Sequence, residues 1–518
     1  MAAGNKSEEG LQWTGRPFGG FIGDIRRKAP YYLSDFKDGF HSKVAGTTLF
    51  LYFAALANAI AFGALTGALT GNEIGIIEMI VITAIGGIFF ALFAGQPLTI
   101  LGGTGPIVIF TGLLYTACAQ LEIPFLATYA WVGIWSGILM LVLAFADASV
   151  LMKYFTRFTD EIFAGLISVI FIIEAIKDTI NAFGDEGYGL ASGLLSLILA
   201  LGTFMISRSL KAATKTPYLR RPIRNFLSDF GPSIAIVAMT GLALYFSDIQ
   251  LSLPSVPEQL ATTSGRDWLV DIWAVPTWVI FAAIIPAILA TILLFLDQSI
   301  TTRLVNSADN KLKKGYGYHL DLAIVGLIIL VSSLFALPWI VAATVHSLNH
   351  VKSLANYKIL ESKSGAKEEK IVSVVENRLS GLLIHVLIAA SLFFLGYIAL
   401  IPMPVLFGLF LYMGFTSLAG NHFWDRLVLW ITDPKLYPKA HYLIVMPAKR
   451  LHTFTLIQLA CFVVLWLLKA SKLGILFPLM IAALVPIRLF ISRFFTPEEM
   501  EALVAEDVEE EEEIRVVM

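Results

Sequence analysis

The chain has 518 residues, of which 57% are hydrophobic and only 15% charged, with a mean hydropathy of +0.76. Soluble domains carry about 25% charged residues, so an ordinary globular enzyme or binding module is excluded. The formal charge of −2 identifies no partner, because acids and bases are segregated along the chain.

Residues 1–43 read as a cytoplasmic segment. The stretch "MAAGNKSEEGLQWTGRPFGG" has no apolar core followed by a cleavage site, so no signal peptide is expected. Apolar stretches then fall at 44–65, 74–93, 97–118, 125–145, 161–183, 190–206 and 231–246. A second set falls at 276–296, 320–337, 340–354, 379–396, 404–418, 451–468 and 473–490. A span needs roughly 20 apolar residues, so these fourteen elements predict an all-α, multi-pass membrane protein. The tail 496–518, with "EDVEEEEEI", reads as a solvated acidic segment.

Basic residues orient the elements. Arg26, Arg27, Lys28, Lys37 and Lys43 precede the first; Arg208, Lys211, Lys215, Arg220, Arg221 and Arg224 follow the sixth. Arg303, Lys311, Lys313 and Lys314 follow the eighth, whereas the stretch 248–275 holds only Arg266 among several acids. The positive-inside rule then puts both termini in the cytoplasm. With seven elements per half, the second half is inserted upside down relative to the first.

The third element, "ALFAGQPLTILGGTGPIVIFTGLLY", is poor material for a continuous helix. Pro97 and Pro106 lack backbone donors, and Gly95, Gly102, Gly103 and Gly105 surround them. The tenth, "LFALPWIVAATVHSLNHVKSL", is broken in the corresponding place: Pro338 ends one helix, and the β-branched run Ile340–Val345 precedes another. Irregular backbone at membrane depth is tolerated only where it is buried in protein or lines a wet cavity. Paired breaks in matching positions of two halves point to a transporter's binding site. Two helix N-termini facing one another offer free N–H groups and positive dipole ends to an anion.

Asp297, in "LLFLDQSITTRLV", is the most suggestive acid, since a carboxylate within a span is costly and marks a functional site by default. Its position near Arg303 also fits a plain interfacial acid. Thr301 follows at i+4 on the same helical face, and oxygen ligands suit a hard cation such as sodium. His346 is placed to donate to an anion or to titrate near neutral pH; His350, one turn on, reads as packing or cytoplasmic. Glu174 and Lys177 read as a local i, i+3 pair, and Glu78 as an interfacial acid. Trp131, Trp135, Trp268, Trp273, Trp278 and Trp339 read as interface belts. Cys118 and Cys461 read as buried thiols rather than a disulfide or metal site. No phosphate-binding loop, dinucleotide fingerprint, zinc-protease motif or nucleophile elbow is present. Enzyme activity, a cofactor, a resident metal and nucleic-acid binding are therefore not expected.

Several stretches carry a resemblance: "GGFIGDIRRKAPYYLSDFKDGF", "LYFAALANAIAFGAL", "FAGQPLTILGGTGP", "FLDQSITTRLV", "KKGYGYHLDL", "ALPWIVAATV" and "IPMPVLFGLFLYMGFTSLAG". In this order, from Phe18 to about Asp507, they resemble the bicarbonate transporter family of band-three-type anion exchangers and sodium–bicarbonate cotransporters. The resemblance implies seven plus seven inverted repeats, with half-helices at elements three and ten preceded by short strands. It implies a core domain (44–155 and 276–400), a gate domain (156–250 and 401–495) joined by an external loop (251–275), and a homodimer through the gates. The core would carry substrate against the gate in elevator fashion. The anion would lie between Thr104, Gly105 and Pro106 on one side and Ala343, Thr344, Val345 and His346 on the other.

Asp297 matches the sodium-coupled branch, where exchangers have Glu. His346 stands where exchangers have an anion-countering Arg and sodium-coupled members an apolar residue. The resemblance thus implies a secondary transporter of bicarbonate or carbonate in the cell membrane, coupled to sodium held by Asp297, Thr301 and Thr344. Only about forty residues precede the first span, where the family's animal members carry a large cytoplasmic domain, so the chain reads as a minimal form. "KDTIN" replaces the stilbene-reactive Lys-x-x-Lys pattern. The alternatives are chloride/bicarbonate exchange, a proton-linked anion (borate) transporter, an anion channel, and a scaffold without transport.

Overall fold

A computed structural model describes residues 9–184, 189–257, 259–361, 367–438, 440–471, 473–504 and 515–516. The acidic run 506–514 lies outside the described residues. Two short helices, α1 (Gly19–Lys28) and α2 (Tyr32–Lys37), lead into α3 (Ser42–Leu69), α4 (Ile76–Phe93), strand β1 (Leu101–Gly102), α5 (Gly105–Gln120) and α6 (Phe125–Phe145). A 3-10 stretch, Ala148–Tyr154, connects to α7 (Arg157–Gly184), α8 (Leu190–Ala212), α9 (Arg221–Asp229) and α10 (Gly231–Tyr245). The second half runs α11 (Thr277–Ala282), α12 (Ile284–Val305), α13 (Tyr318–Ser333), β2 (Val341–Ala342) and α14 (Thr344–Leu354). Strands β3 (Ala355–Glu361) and β4 (Lys367–Val374) follow, then α15 (Leu379–Ala390), α16 (Leu395–Ile398) and α17 (Met403–Leu418). Helices α18 (His422–Val428), α19 (His441–Val445), α20 (Ala448–Ala470), α21 (Phe477–Ile491) and α22 (Pro497–Val504) complete the helices, and β5 (Arg515–Val516) pairs with β3.

Among the described residues, eight helices are long and apolar enough to cross a membrane. Two bent pairs raise this to ten: α9–α10, bent by 66°, and α17 with the helical stretch His422–Ile431, bent by 82°. The protein is a multi-pass membrane protein. Several other apolar stretches form shorter helices, notably α5 and α13, because glycine and proline interrupt them or polar residues enter them.

Helix ends follow local chemistry. Helix α3 stops where Gly71 and Asn72 turn to positive φ, a conformation that costs glycine nothing and asparagine little. Helix α4 restarts with Glu78 accepting from the Gly75 N–H at 2.9 Å, satisfying an orphan first-turn donor. Pro106 and Pro404 occupy the first turns of α5 and α17, where a missing N–H is harmless.

Two packing groups result. Helices α3, α4, α6, α12, α13 and α15 pack on one another, and α7, α8, α10 and α17 pack on one another with α20 and α21 against α7. The hairpin β3–β4, which sequence analysis left unassigned, sits at the start of α3: Lys43 Nζ donates to the Ala355 carbonyl at 2.7 Å and to Asn356 Oδ1 at 2.8 Å. On the same face, Lys314 binds Asp35 (2.8 Å) and Asp38 (2.7 Å), and buried Arg378 lies 3.2 Å from Asp35. Glu376 accepts from the Lys313 N–H at 2.6 Å and the Lys314 N–H at 3.2 Å.

Four expectations are corrected. Trp339 is not an interface residue: it is 1% exposed and stacks on Tyr129 at 4.3 Å with an interplanar angle of 2°. Its indole N–H donates to Ser333 Oγ at 3.1 Å, because a buried indole must find an acceptor. Glu78 is fully buried and accepts from the Thr263 N–H (2.8 Å) and hydroxyl (2.6 Å), fastening the 247–275 loop to α4. Glu174 pairs with Lys469 of α20 at 3.3 Å instead of a local Lys177. Arg303 pairs with Asp160 of α7 at 3.1 Å and donates to the Phe155 carbonyl at 2.9 Å, so it is turned to α7. Both cysteines are free and buried.

Candidate functional site

The two broken elements meet. β1 and β2 pair antiparallel, with Leu101 opposite Ala342 and Gly102 opposite Val341. The ladder extends one step further, as the Ala343 N–H donates to the Ile100 carbonyl at 2.8 Å. Each strand is followed directly by a helix, α5 after β1 and α14 after β2. A chain pair of two residues each is too short to be stable alone, so side chains complete it. Ser347 Oγ donates to the Ile100 carbonyl (3.4 Å) and accepts from the Ile100 N–H (3.0 Å). Asn58 of α3 donates to the Gly103 carbonyl at 3.2 Å. His350 is fully buried, bridging the Leu98 carbonyl at 2.9 Å and Ser380 Oγ at 2.7 Å.

Helix α12 crosses beside this junction and touches both helix starts. Asp297 Oδ2 accepts from the Thr104 hydroxyl at 2.7 Å, and Thr104 is the residue preceding α5. One turn later, Thr301 Oγ1 lies 2.6 Å from Thr344 Oγ1, the first residue of α14, and 3.2 Å from the Ala342 carbonyl. Between them Gln298 Oε1 accepts from the Ala342 N–H at 2.9 Å. A single face of α12 therefore presents a carboxylate, a carboxamide and a hydroxyl to the two half-elements.

Thr104–Asp297 and Thr301–Thr344 are thus two oxygen pairs set one turn apart on α12. Thr104, expected on the anion side, donates its hydroxyl to Asp297. Gly105 and Pro106 are buried in the first turn of α5, and Ala343 is buried before α14. Val345 is 62% exposed. His346 is half-buried, and its ring faces the Ala54 carbonyl of α3. Sequence reasoning missed Gln298, Asn58 and Ser347. Gln298, an amide beside an acid within an apolar span, carried a readable signal; Asn58 and Ser347 did not, since their roles depend on long-range approach.

Comparison with known proteins decides the family. Residues 16–191 and 186–508 match the family model described as the HCO3- transporter integral membrane domain. The chain belongs to the bicarbonate transporter family. Among curated members of this family, the electroneutral sodium bicarbonate exchanger 1 of Rattus norvegicus is 38% identical over 570 residues, covering 96% of this chain and 52% of the relative. The electrogenic sodium bicarbonate cotransporter 1 of Ambystoma tigrinum is 38% identical over 579 residues, covering 96% and 56%. The sodium-driven chloride bicarbonate exchanger of Homo sapiens is 37% identical over 593 residues, covering 98% and 52%. The chain thus spans about half the length of the curated bicarbonate transporters it matches. These relatives are named transporters and exchangers, not enzymes. In fold, the chain is similar to the transmembrane domain of a cyanobacterium bicarbonate transporter, BicA, at TM-score 0.59 and 16% identity, covering 85% of this chain and 97% of that one. It is also similar to SLC26A9 at TM-score 0.58 and 14% identity, covering 95% and 72%.

Proposed function

We propose that this chain is a sodium-coupled secondary transporter of bicarbonate or carbonate. The observation that carries the reading is the contact of α12 with both half-elements, through Asp297–Thr104 and Thr301–Thr344. Carboxylate and hydroxyl oxygens suit a hard cation; Asp297, Thr301 and Thr344 would hold sodium, joined by Thr104. The starts of α5 (Thr104, Gly105 and Pro106) and α14 (Ala343, Thr344, Val345 and His346) would hold the anion, with the N–H groups of Gly105, Thr344, Val345 and His346 as donors. Opposite charges carried together offset much of the desolvation cost that either meets alone in a low-dielectric barrier. Neither ion then binds well without the other, which is the coupling.

In this reading the helices fall into seven plus seven inverted elements. The group holding β1 and β2 acts as the core (44–155 and 276–400), and it moves against a gate (156–250 and 401–495) in elevator fashion. Both termini face the cytoplasm, the molecule sits in the cell membrane, and two copies pair through their gates. Labelled-bicarbonate uptake into proteoliposomes, with sodium, chloride and proton gradients imposed one at a time, tests the proposal. Uptake that follows sodium alone supports symport. The human relative's name includes chloride exchange, so a second reading is sodium-driven chloride/bicarbonate exchange, which requires chloride on the opposite side. Uptake indifferent to sodium overturns both.

A further inference from the structure

Three phenylalanines from three helices meet beside the start of α5. Phe62 (α3) lies 5.7 Å from Phe171 (α7) and 5.8 Å from Phe410 (α17), and Phe171 lies 5.6 Å from Phe410, ring centre to ring centre. All three are buried, at 4%, 5% and 2% exposure. Phe407 extends the cluster along α17, 6.5 Å from Phe410. Phe62 belongs to the helix group holding β1; Phe171 and Phe410 belong to the other group, so the cluster joins the two.

The rings lie on one side of the ion site. Leu69 ends α3 next to the turn where Glu78 holds Thr263 of the 247–275 loop, and Phe62 stands seven residues earlier. At 1.5 Å per residue that is about 10 Å below the loop. Helix α17 begins at Met403, whose N–H donates to the Ser252 carbonyl of the same loop at 2.9 Å. Phe410 stands seven residues further along, again about 10 Å down. Phe62 and Phe171 both touch the broken third element: a Cβ placed on Gly103 would lie 3.3 Å from Phe62 Cβ. A Cβ placed on Gly105 would lie 2.4 Å from Phe171 Cζ and 3.1 Å from Ile167 Cγ2. Gly105 is thus a glycine because the Phe171 ring rests on the α5 backbone at its first turn. By contrast Val345, at the start of α14, is 62% exposed.

We infer that Phe62, Phe171 and Phe410 form the closure of the ion site toward the face carrying the 247–275 loop, with Phe171 the ring that seals the α5 helix start. Aromatic rings in tilted contact fill this space densely and exclude water. Access from that face then requires Phe171 and Phe410 to part from Phe62 and Gly105. This inference rests on the ion-site reading above, but the test below needs no transport.

In a chain carrying C118S and C461S, a Val345→Cys reporter is exposed to a membrane-impermeant thiol reagent added at the loop face, without sodium or bicarbonate. The reporter alone is modified slowly. Phe171→Ala raises the rate at least about tenfold by populating the open arrangement. Gly105→Ala, which drives a methyl into the ring, does the same, and Phe171→Leu added to Gly105→Ala brings the rate back down. Loop-face rates unchanged by Phe171→Ala, Phe62→Ala and Gly105→Ala alike overturn the closure. Should sodium-dependent flux be absent while these rates behave as stated, the transport reading fails and the closure stands. If Phe171→Ala does not fold, the Gly105→Ala and Gly105→Ala/Phe171→Leu pair decides.

Discussion

Thr104 donates its hydroxyl to Asp297 across 2.7 Å, joining residues 193 positions apart in the chain. The bond ties the residue preceding α5 to the one acid of α12, so on the sodium-site proposal Thr104 helps to shape the cation's environment. Removing the donor by Thr104→Val leaves the carboxylate less well satisfied. A net loss of about 1 kcal/mol in stability follows, with a several-fold rise in half-saturating sodium. Thr104→Ser keeps the hydroxyl and holds both near wild type. Sodium titration of uptake, beside thermal unfolding in detergent, checks this. A valine variant with unaltered sodium dependence would separate Thr104 from the cation.

Gln298 supplies the acceptor for the Ala342 N–H. Gln298→Leu leaves that N–H buried without a partner, at a cost of about 1–3 kcal/mol. The expected outcome is a lower melting temperature and reduced uptake, with Gln298→Glu recovering more of both than leucine does. Equal behaviour of leucine and glutamate would show that the strand pairing does not depend on this bond.

Arg426 is fully buried and donates to Glu161 at 2.5 Å and to Gln458 at 2.8 Å, linking α18, α7 and α20. Breaking a buried pair by removing one partner costs about 3–5 kcal/mol, whereas replacing both with apolar groups is often near neutral. Arg426→Leu is therefore expected to lower stability sharply, and Glu161→Leu added to it to restore a large part. Chemical unfolding of the two single variants and the double gives the coupling; additive losses would contradict it.

Glu376 carries the pH prediction. Burial raises its pKa above the ordinary 4.5, and the Lys313 N–H and the Lys28 charge oppose the rise without cancelling it. A carboxyl with a raised folded-state pKa contributes stability that is complete below its unfolded pKa and is lost as pH climbs through the folded one. Glu376→Gln keeps an acceptor for the Lys313 and Lys314 N–H groups but has no such slope. The melting temperature of the variant minus that of wild type should therefore increase as pH rises from 4.5. A difference that is flat or falls with pH contradicts the raised value.

Much of the site was legible in sequence because its determinants are local. The breaks at "GGTGP" and "LPWIVAATV" follow from glycine, proline and β-branched residues, and Asp297 and Thr301 share a helical face by spacing alone. What spacing does not carry is approach over distance. Glu78 was legible only as an acid near a helix start; its capture of Thr263, 185 positions away, depends on the fold. Trp339 matched the composition of an interface belt, but its stacking partner Tyr129 lies on α6, 210 positions earlier in the chain. Lys177 was near Glu174 in sequence, whereas Lys469 is near it in space. The hairpin β3–β4 went unassigned because "ANYKILE" and "KEEKIVSV" mix β-branched residues with charges at no clean period.

Sodium-driven accumulation of labelled bicarbonate, compared between wild type and Asp297→Asn in the same proteoliposomes, tests the central claim most directly. With an inward sodium gradient, wild type should accumulate the label above equilibrium, and Asp297→Asn, still folded, should not. Equal accumulation by the two, or wild-type accumulation that persists without sodium, would contradict the assignment of Asp297 and the coupling built on it.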